Sequence, residues 1–304
     1  MTSPFLLLTA AMLSGITTLG CQTATAEPAA TVASTNDLPA SVKQHGFAIG
    51  CQAWTFNHFT AFEAIEKTAA AGGSIIELFP GQKLSPKDSA GVGSDLSEAQ
   101  ITLLKAQLEK FHVKAVNFGV VNIPKDEAAA RKLFQFAKTM GLYAITTEST
   151  DAIDTIEKLV KEFDMHVAFH NHARRANYKM WDPNYILSVV KDRDPRIGAC
   201  ADVGHWSGSG MRPLDQIKIL EGRVMSCHFK DHMIMNDDAN CVAAGLGALE
   251  LEAVLRELRR QHFNGNISVE FESHWENNLA EVAQTIGFVR GVGAALEMVE
   301  ADKK

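Results

Sequence analysis

Ala201-Asp202-Val203-Gly204-His205-Trp206 follows directly on the apolar run Ile197-Gly198-Ala199-Cys200. A short buried strand therefore stops at a carboxylate and a loop begins, with a His three residues on. Burying such a carboxylate is costly unless something pairs with it. The same form recurs at Phe169-His170-Asn171-His172, at Cys227-His228-Phe229-Lys230-Asp231-His232 and at Val269-Glu270-Phe271-Glu272. Four strand ends loaded with His, Asp or Glu point to one shared site. A divalent metal is its most economical content.

Working outward, strand-like and helix-like segments alternate from Phe47 onward. Apolar runs at 47–53, 74–79, 113–118, 142–147, 165–169, 197–201, 224–229 and 266–271 predict eight strands. Helical spacing fills the intervals. It puts Ile101, Leu104, Leu108 and Phe111 on one face, and Gly141 stops the helix predicted at 127–140. The Gly/Ser/Pro/Asp-rich stretch before residue 96 reads as loop. Eight alternating units imply the α/β class and a parallel sheet closed into a single (β/α)8 TIM barrel. An open doubly wound sheet is the competitor. It fits less well, because no GxGxxG follows the first strand and polar clusters follow strands along the whole chain.

The chain has 304 residues, of which 46% are hydrophobic and 21% charged, within the range of one barrel domain. Its net charge of −7 argues against a nucleic-acid backbone or an anionic membrane surface as partner. Residues 1–26 read as a signal peptide: 5–8 and 10–13 are apolar, no charged side chain precedes Glu27, and Ala24-Thr25-Ala26 is a small-x-small cleavage pattern. Leu19-Gly20-Cys21 offers a second reading, a lipoprotein signal with Cys21 as a lipid anchor, although Thr18 stands where a branched apolar residue is usual. Both readings place the protein outside the cytoplasm, in the periplasm or on a membrane facing it. Residues 27–44, rich in Ala, Thr, Pro and Ser, are expected to be a disordered tether dispensable for folding, with the barrel at 45–304. Cys51, Cys200, Cys227 and Cys241 are expected as mostly buried apolar side chains rather than a disulfide framework.

In a (β/α)8 barrel the active site is built at the C-terminal ends of the strands. The polar residues fall there: Glu148 after the fourth strand, His170 and His172 after the fifth, Asp202 after the sixth. His228 and Lys230 follow the seventh, and Glu270 and Glu272 the eighth. Alternation puts each of the three pairs on one side of its strand. Singly, a strand-end His is more often a hydrogen-bonded core residue, and a Glu there a helix cap. It is their joint occurrence on adjacent strands that solvation explains badly. Gln52 and Glu77 read as structural or functional equally well. Trp54, Trp181, Trp206 and Trp275 lie in or beside loops after strands, where indoles stack on a sugar face or pack on a helix.

These residues resemble the xylose isomerase-like barrels, which include sugar-phosphate isomerases and epimerases, inosose dehydratase and, more distantly, endonuclease IV. The resemblance rests on His170-Asn171-His172, the D-x-G-H of Asp202 to His205, and the H-x-K-D of His228 to Asp231. Gly245 and Gly247, and the approach to Glu270, complete it. It spans roughly 47–298 and implies metal ligands Asp202, His228 and Glu270 with a Glu from an earlier strand. Many epimerases carry that Glu where this chain has His170, so Glu148 is assigned as the fourth ligand. Three carboxylates and one imidazole suit Mn²⁺, with Mg²⁺, Co²⁺ or Zn²⁺ as alternatives. The implied catalytic set is Glu148, Glu270, Lys230 and His172, with His170, His205, Trp206 and Gln52 against the substrate.

The expected activity is that of a metal-dependent isomerase or epimerase of an unphosphorylated (keto-)sugar or glycoside. A base removes the proton beside a carbonyl, and the metal and Lys230 hold the resulting enediolate. Expulsion of a β-oxygen from the same site makes a lyase or hydratase of 3-keto-glycosides the alternative. A nuclease and a non-catalytic sugar-binding barrel are further readings. Oligomeric state is not legible.

Overall fold

A computed structural model describes Met1 and residues 37–237 and 240–302. Its eight barrel strands are β1 (Phe47–Gln52), β2 (Ile75–Leu78), β3 (Lys114–Phe118), β4 (Ala144–Thr147), β5 (His166–His170), β6 (Ile197–Asp202), β7 (Val224–Phe229) and β8 (Asn266–Val269). Each pairs in parallel with the next, and β1 pairs with both β2 and β8, so the sheet closes on itself. Nearly every strand residue is buried. A strand covered by helices on one face and by the barrel interior on the other must read as a continuous apolar run, which is how the sequence reads.

The helices are α1 (Ala61–Ala70), α2 (Glu98–Lys110), α3 (Glu127–Met140), α4 (Ile153–Phe163), α5 (Pro183–Val190), α6 (Pro213–Ile219), α7 (Leu251–Arg260) and α8 (Leu279–Ala301). Their ends have local causes. Thr60 and Glu63 form a capping box on α1, and Ser97 and Gln100 another on α2. Gly141 ends α3 in the left-handed conformation at φ 70°. α8 is long and apolar enough to cross a membrane by composition, but Val282, Ile286, Val289 and Leu296 are buried, as in a core helix.

Three pieces depart from expectation. The loop after β2 contains a hairpin of Lys83–Ser85 with Asp88–Gly91, and Asp231–His232 pairs with Cys241–Val242. A six-residue helix, Val203–Gly208, starts at Asp202 itself. All three are too short to show a hydrophobic period. At the other end of the barrel, Lys43–Gln44 pairs antiparallel with β1, and Leu38 and Val42 are buried against Ala48, Ile75, Val116, Tyr143 and Ala144 near the strand starts. This corrects the expectation of a free tether up to residue 44, since its last residues cover the barrel floor. The expected signal peptide, Cys21 and the tether up to residue 36 lie outside the described residues. The other four cysteines are buried and unpaired; burial pushes the Cys51 thiol up to about 12, leaving it a small apolar side chain.

Candidate metal centre and active site

Strand register assembles the site before any side chain touches another. Asp202 on β6 lies level with His228 on β7, and His228 level with Ser268 on β8. On the opposite arc, Gln52 on β1 lies level with Glu77 on β2, and Glu77 with Asn117 on β3. Asn171 ties the ends of β5 and β6 together. Its amide donates to the Asp202 carbonyl at 3.0 Å, and the Asp202 N–H donates to its Oδ1 at 2.9 Å.

Asp202 is the hub. Its Oδ1 caps the short helix by accepting the His205 N–H at 2.8 Å. Four groups converge on its Oδ2: Lys230 Nζ at 3.1 Å, His170 Nε2 at 3.4 Å, His228 Nδ1 at 3.7 Å and His205 Nε2 at 3.8 Å. Burial opposes ionisation of this carboxyl, but the charges of His205 and Lys230, a hydrogen bond from His170 and the nearby His228 ring hold it well below the usual range. The D-x-G-H pattern now has a steric cause. A Cβ on Gly204 would stand 2.2 Å from Lys230 Cγ, so only glycine lets the lysine stem pass.

Lys230 is fully buried, and its ammonium also meets Glu270 at 2.8 Å and Glu272 at 2.7 Å. Burial favours the neutral amine, yet Asp202, Glu270 and Glu272 outweigh it and hold Lys230 well above the ordinary lysine range. The neighbouring Asp231 does different work. Its carboxylate accepts the N–H groups of Gly245, Gly247 and Leu249, and a Cβ on Gly247 would lie 2.2 Å from Asp231 Oδ1. The second half of H-x-K-D and the two glycines are thus one loop clip.

Glu77 is a fully buried carboxylate. It accepts from Thr146 Oγ1 at 2.8 Å and Ser268 Oγ at 3.0 Å, and His228 Nε2 stands 3.1 Å away. This contact turns the other ring nitrogen of His228, Nδ1, toward the acids, 3.3 Å from Glu270 Oε2, where it makes no regular hydrogen bond. His170 bridges inner and outer groups, with Nε2 toward Asp202 and Nδ1 3.1 Å from Glu148 Oε1. Burial lowers its affinity for a proton, but those two carboxylates win and raise it to about 9. The same Glu148 oxygen also bonds His172 Nδ1, and the Tyr178 hydroxyl accepts the His172 N–H at 2.9 Å. Glu148 is itself held well below the usual carboxylate range; burial opposes this, and the two histidines prevail.

The donors suit a cation. Ligand atoms of His170, Asp202, His205 and Glu270 all lie within 4.8 Å of one another, and all four residues are buried. Three carboxylates, Asp202, Glu270 and Glu272, gather around the single ammonium of Lys230. This buried His/Asp/Glu cluster has the donor types that could bind a divalent ion. Of the expected ligands, Asp202, His228 and Glu270 stand together. His205 and His170 stand with Asp202 and Glu270, His228 abuts both acids through Nδ1, and Glu148 groups instead with His170 and His172.

A cavity of about 320 Å³ opens over the cluster, lined by Gln52, Trp54, Phe79, His170, His172, His205, Glu270 and Glu272 among others. Gln52 is fixed there, donating to the Gly119 carbonyl at 2.9 Å and accepting the Trp54 N–H at 2.9 Å. Glu148 lies in an adjoining recess of about 410 Å³ that shares Val120 and His172 with the cavity. Trp206 is a correction: it is buried, its indole donates to the Trp181 carbonyl at 3.1 Å, and it is not part of the cavity wall. Glu77, weighed earlier as ambiguous, holds His228, and Tyr178 went unnoticed. Tyr178 sits in a loop with no periodicity, so only its place six residues after His172 hinted at a role.

Comparison with known proteins agrees with the barrel fold. The profile of the xylose isomerase-like TIM barrel family matches residues 65–292. An uncharacterized protein from Parabacteroides distasonis is 32% identical, with a TM-score of 0.66 over 80% of this chain and 98% of that one. D-allulose 3-epimerase from Methylomonas sp. shares the fold, with a TM-score of 0.61 at 14% identity over 80% and 97%. The 3-oxo-isoapionate decarboxylase of Pectobacterium atrosepticum is 23% identical over 241 residues, 72% of this chain and 80% of that protein.

Proposed function

The chain belongs to the xylose isomerase-like TIM barrel family, and from that premise we propose that it is a divalent-metal-dependent isomerase or epimerase of an unphosphorylated sugar or glycoside. The observation that carries this reading is the convergence of His170, Asp202, His205 and Glu270 beneath a cavity of about 320 Å³. Two imidazoles and two carboxylates favour a first-row ion such as Mn²⁺, Co²⁺ or Zn²⁺ over Mg²⁺. When bound, such an ion supplies Lewis acidity toward a carbonyl and its neighbouring hydroxyl.

The remaining work falls to side chains. Glu270 and His172, both lining the cavity, would take and return the proton beside the carbonyl. Glu148 holds His172 through Nδ1, leaving Nε2 for the substrate. Lys230 keeps the buried acids ionised and in place. The cavity wall, among the described residues, contains no Lys or Arg, and Lys230 is already shared by three carboxylates, which disfavours a phosphorylated substrate. A free sugar fits a protein working outside the cytoplasm, where residues 1–26 would send it. A second reading, elimination or hydration at a 3-keto-glycoside, draws on the Glu148–His172 pair, which could protonate a leaving oxygen as readily as it returns a proton to carbon.

The test is solvent-deuterium incorporation, followed by NMR, across ketoses and 3-keto-glycosides with protein of measured metal content. Exchange at the carbon beside the carbonyl that vanishes in Asp202→Asn is the expected result. Metal-loaded protein that exchanges no proton in any of them would overturn the proposal.

A further inference from the structure

The cavity over the metal ligands does not end at Trp54. That indole and Phe79, edge to face with ring centroids 5.2 Å apart, also wall a second groove of about 680 Å³ on the barrel rim. Trp275, on the loop after β8, also lines the groove, stacked with His58 at 6.1 Å between centroids. Trp54 is 42% exposed, a large apolar surface left open to solvent. Asn57 and Lys83 stand among the aromatic rings and can hydrogen-bond hydroxyls. Flat apolar faces beside scattered polar groups match a pyranose or furanose ring, which offers C–H groups on its faces and hydroxyls on its edge.

We propose that the groove lined by Trp54 and Trp275 is a second saccharide subsite, so that the substrate is a glycoside or oligosaccharide rather than a free monosaccharide. The inference rests on the reading of the neighbouring cavity as a sugar site, and deepens it. The cavity of about 320 Å³ holds the reacting ring, and the shared wall of Trp54 and Phe79 passes the glycosidic link into the groove, where the second ring stacks. Of the four tryptophans, Trp54 and Trp275 take this role; Trp206 is buried, and Trp181 is covered by Arg174 at 3.8 Å from its ring centroid.

The experiment compares binding of disaccharides of glucose, galactose and xylose in their common linkages with binding of the parent monosaccharides. Isothermal titration and saturation-transfer NMR read the affinities of metal-loaded protein. At least one disaccharide should bind about tenfold more tightly than its monosaccharide, with saturation transfer to both rings. In Trp275→Ala that preference should collapse toward one. Trp275→Phe, which keeps an aromatic face, should retain part of it and guards against a folding defect, which the thermal midpoint of each variant would reveal. Monosaccharides that bind as well as every disaccharide would overturn the subsite while sparing the sugar-site reading. A preference that survives in Trp275→Ala would also overturn it. Absence of binding by any saccharide would overturn both.

Discussion

At the scale of single residues, the site depends on groups that never meet a substrate. Gly204 must be glycine because a Cβ would stand 2.2 Å from the Lys230 stem. Gly204→Ala should therefore lower stability by about 1–3 kcal/mol in urea unfolding, the usual cost of forcing a methyl group into a packed site. A variant as stable as the parent would show that the lysine yields freely. Glu77 acts through His228, fixing the ring so that Nδ1 faces Asp202 and Glu270. Glu77→Gln should weaken metal affinity roughly 10–100-fold by titration calorimetry, as loss of a buried orienting partner generally does. Unchanged affinity with an unchanged circular dichroism spectrum would remove Glu77 from the site. Glu270→Gln, by contrast, strikes the reaction. Its kcat should fall by a factor of about 10² to 10⁴, with metal content measured alongside so that a lost ligand is not taken for a lost base.

At the scale of elements, strands proved far more legible than the pieces between them. All eight barrel strands announce themselves as short apolar runs, because burial on both faces leaves no room for polar alternation. The placement of Asp202, His228 and Glu270 followed from their standing at the ends of those runs. What the sequence hid was orientation. Whether His170 or Glu148 stands beside Asp202 depends on strand register and on a hydrogen bond from one His to two carboxylates, and neither has a local signature. Trp206 was misread because the helix carrying it is six residues long. The start of β6 offers a test at this scale. Arg196 donates two bonds to Asp194 at 2.8 Å and one to Asp164 at 2.7 Å, linking the strand to the end of α4. Arg196 is the main cause of the lowered pKa of Asp194. A depressed folded-state pKa adds stability above the unfolded value, near 3.9 for Asp, and loses it as pH falls through the folded value. Thermal midpoints of the parent and Arg196→Ala should thus differ most at neutral pH and draw together below about pH 4. A gap that stays constant into acid would mean that Arg196 contributes packing alone.

At the scale of the whole molecule, the candidate site and the covered floor occupy opposite ends of one barrel. The C-terminal ends of the strands carry a crowded, charged cluster, whereas the floor carries an apolar layer of Ala48, Ile75, Val116, Tyr143 and Ala144. Leu38 and Val42 cover that layer, and Ser74 Oγ donates to the Val42 carbonyl at 2.7 Å. Composition alone suggested that everything before residue 45 was tether, since two apolar side chains among Ala, Thr, Pro and Ser show no period. Two truncations separate the readings. Deleting residues 2–36 leaves the floor covered, whereas deleting residues 2–44 exposes it. Fully burying a Leu or Val is worth about 1.5–3 kcal/mol, and ordering the short segment offsets part of that. The longer deletion should still melt several degrees below the shorter one, at roughly 2–4 °C per kcal/mol for a domain of this size. It should also bind a hydrophobic dye that the shorter one does not. The metal affinities of the two should agree, because the ligands sit at the far end of the strands. Equal midpoints would return residues 37–44 to the tether, and a metal affinity lost with the floor would show that the two ends of the barrel are coupled.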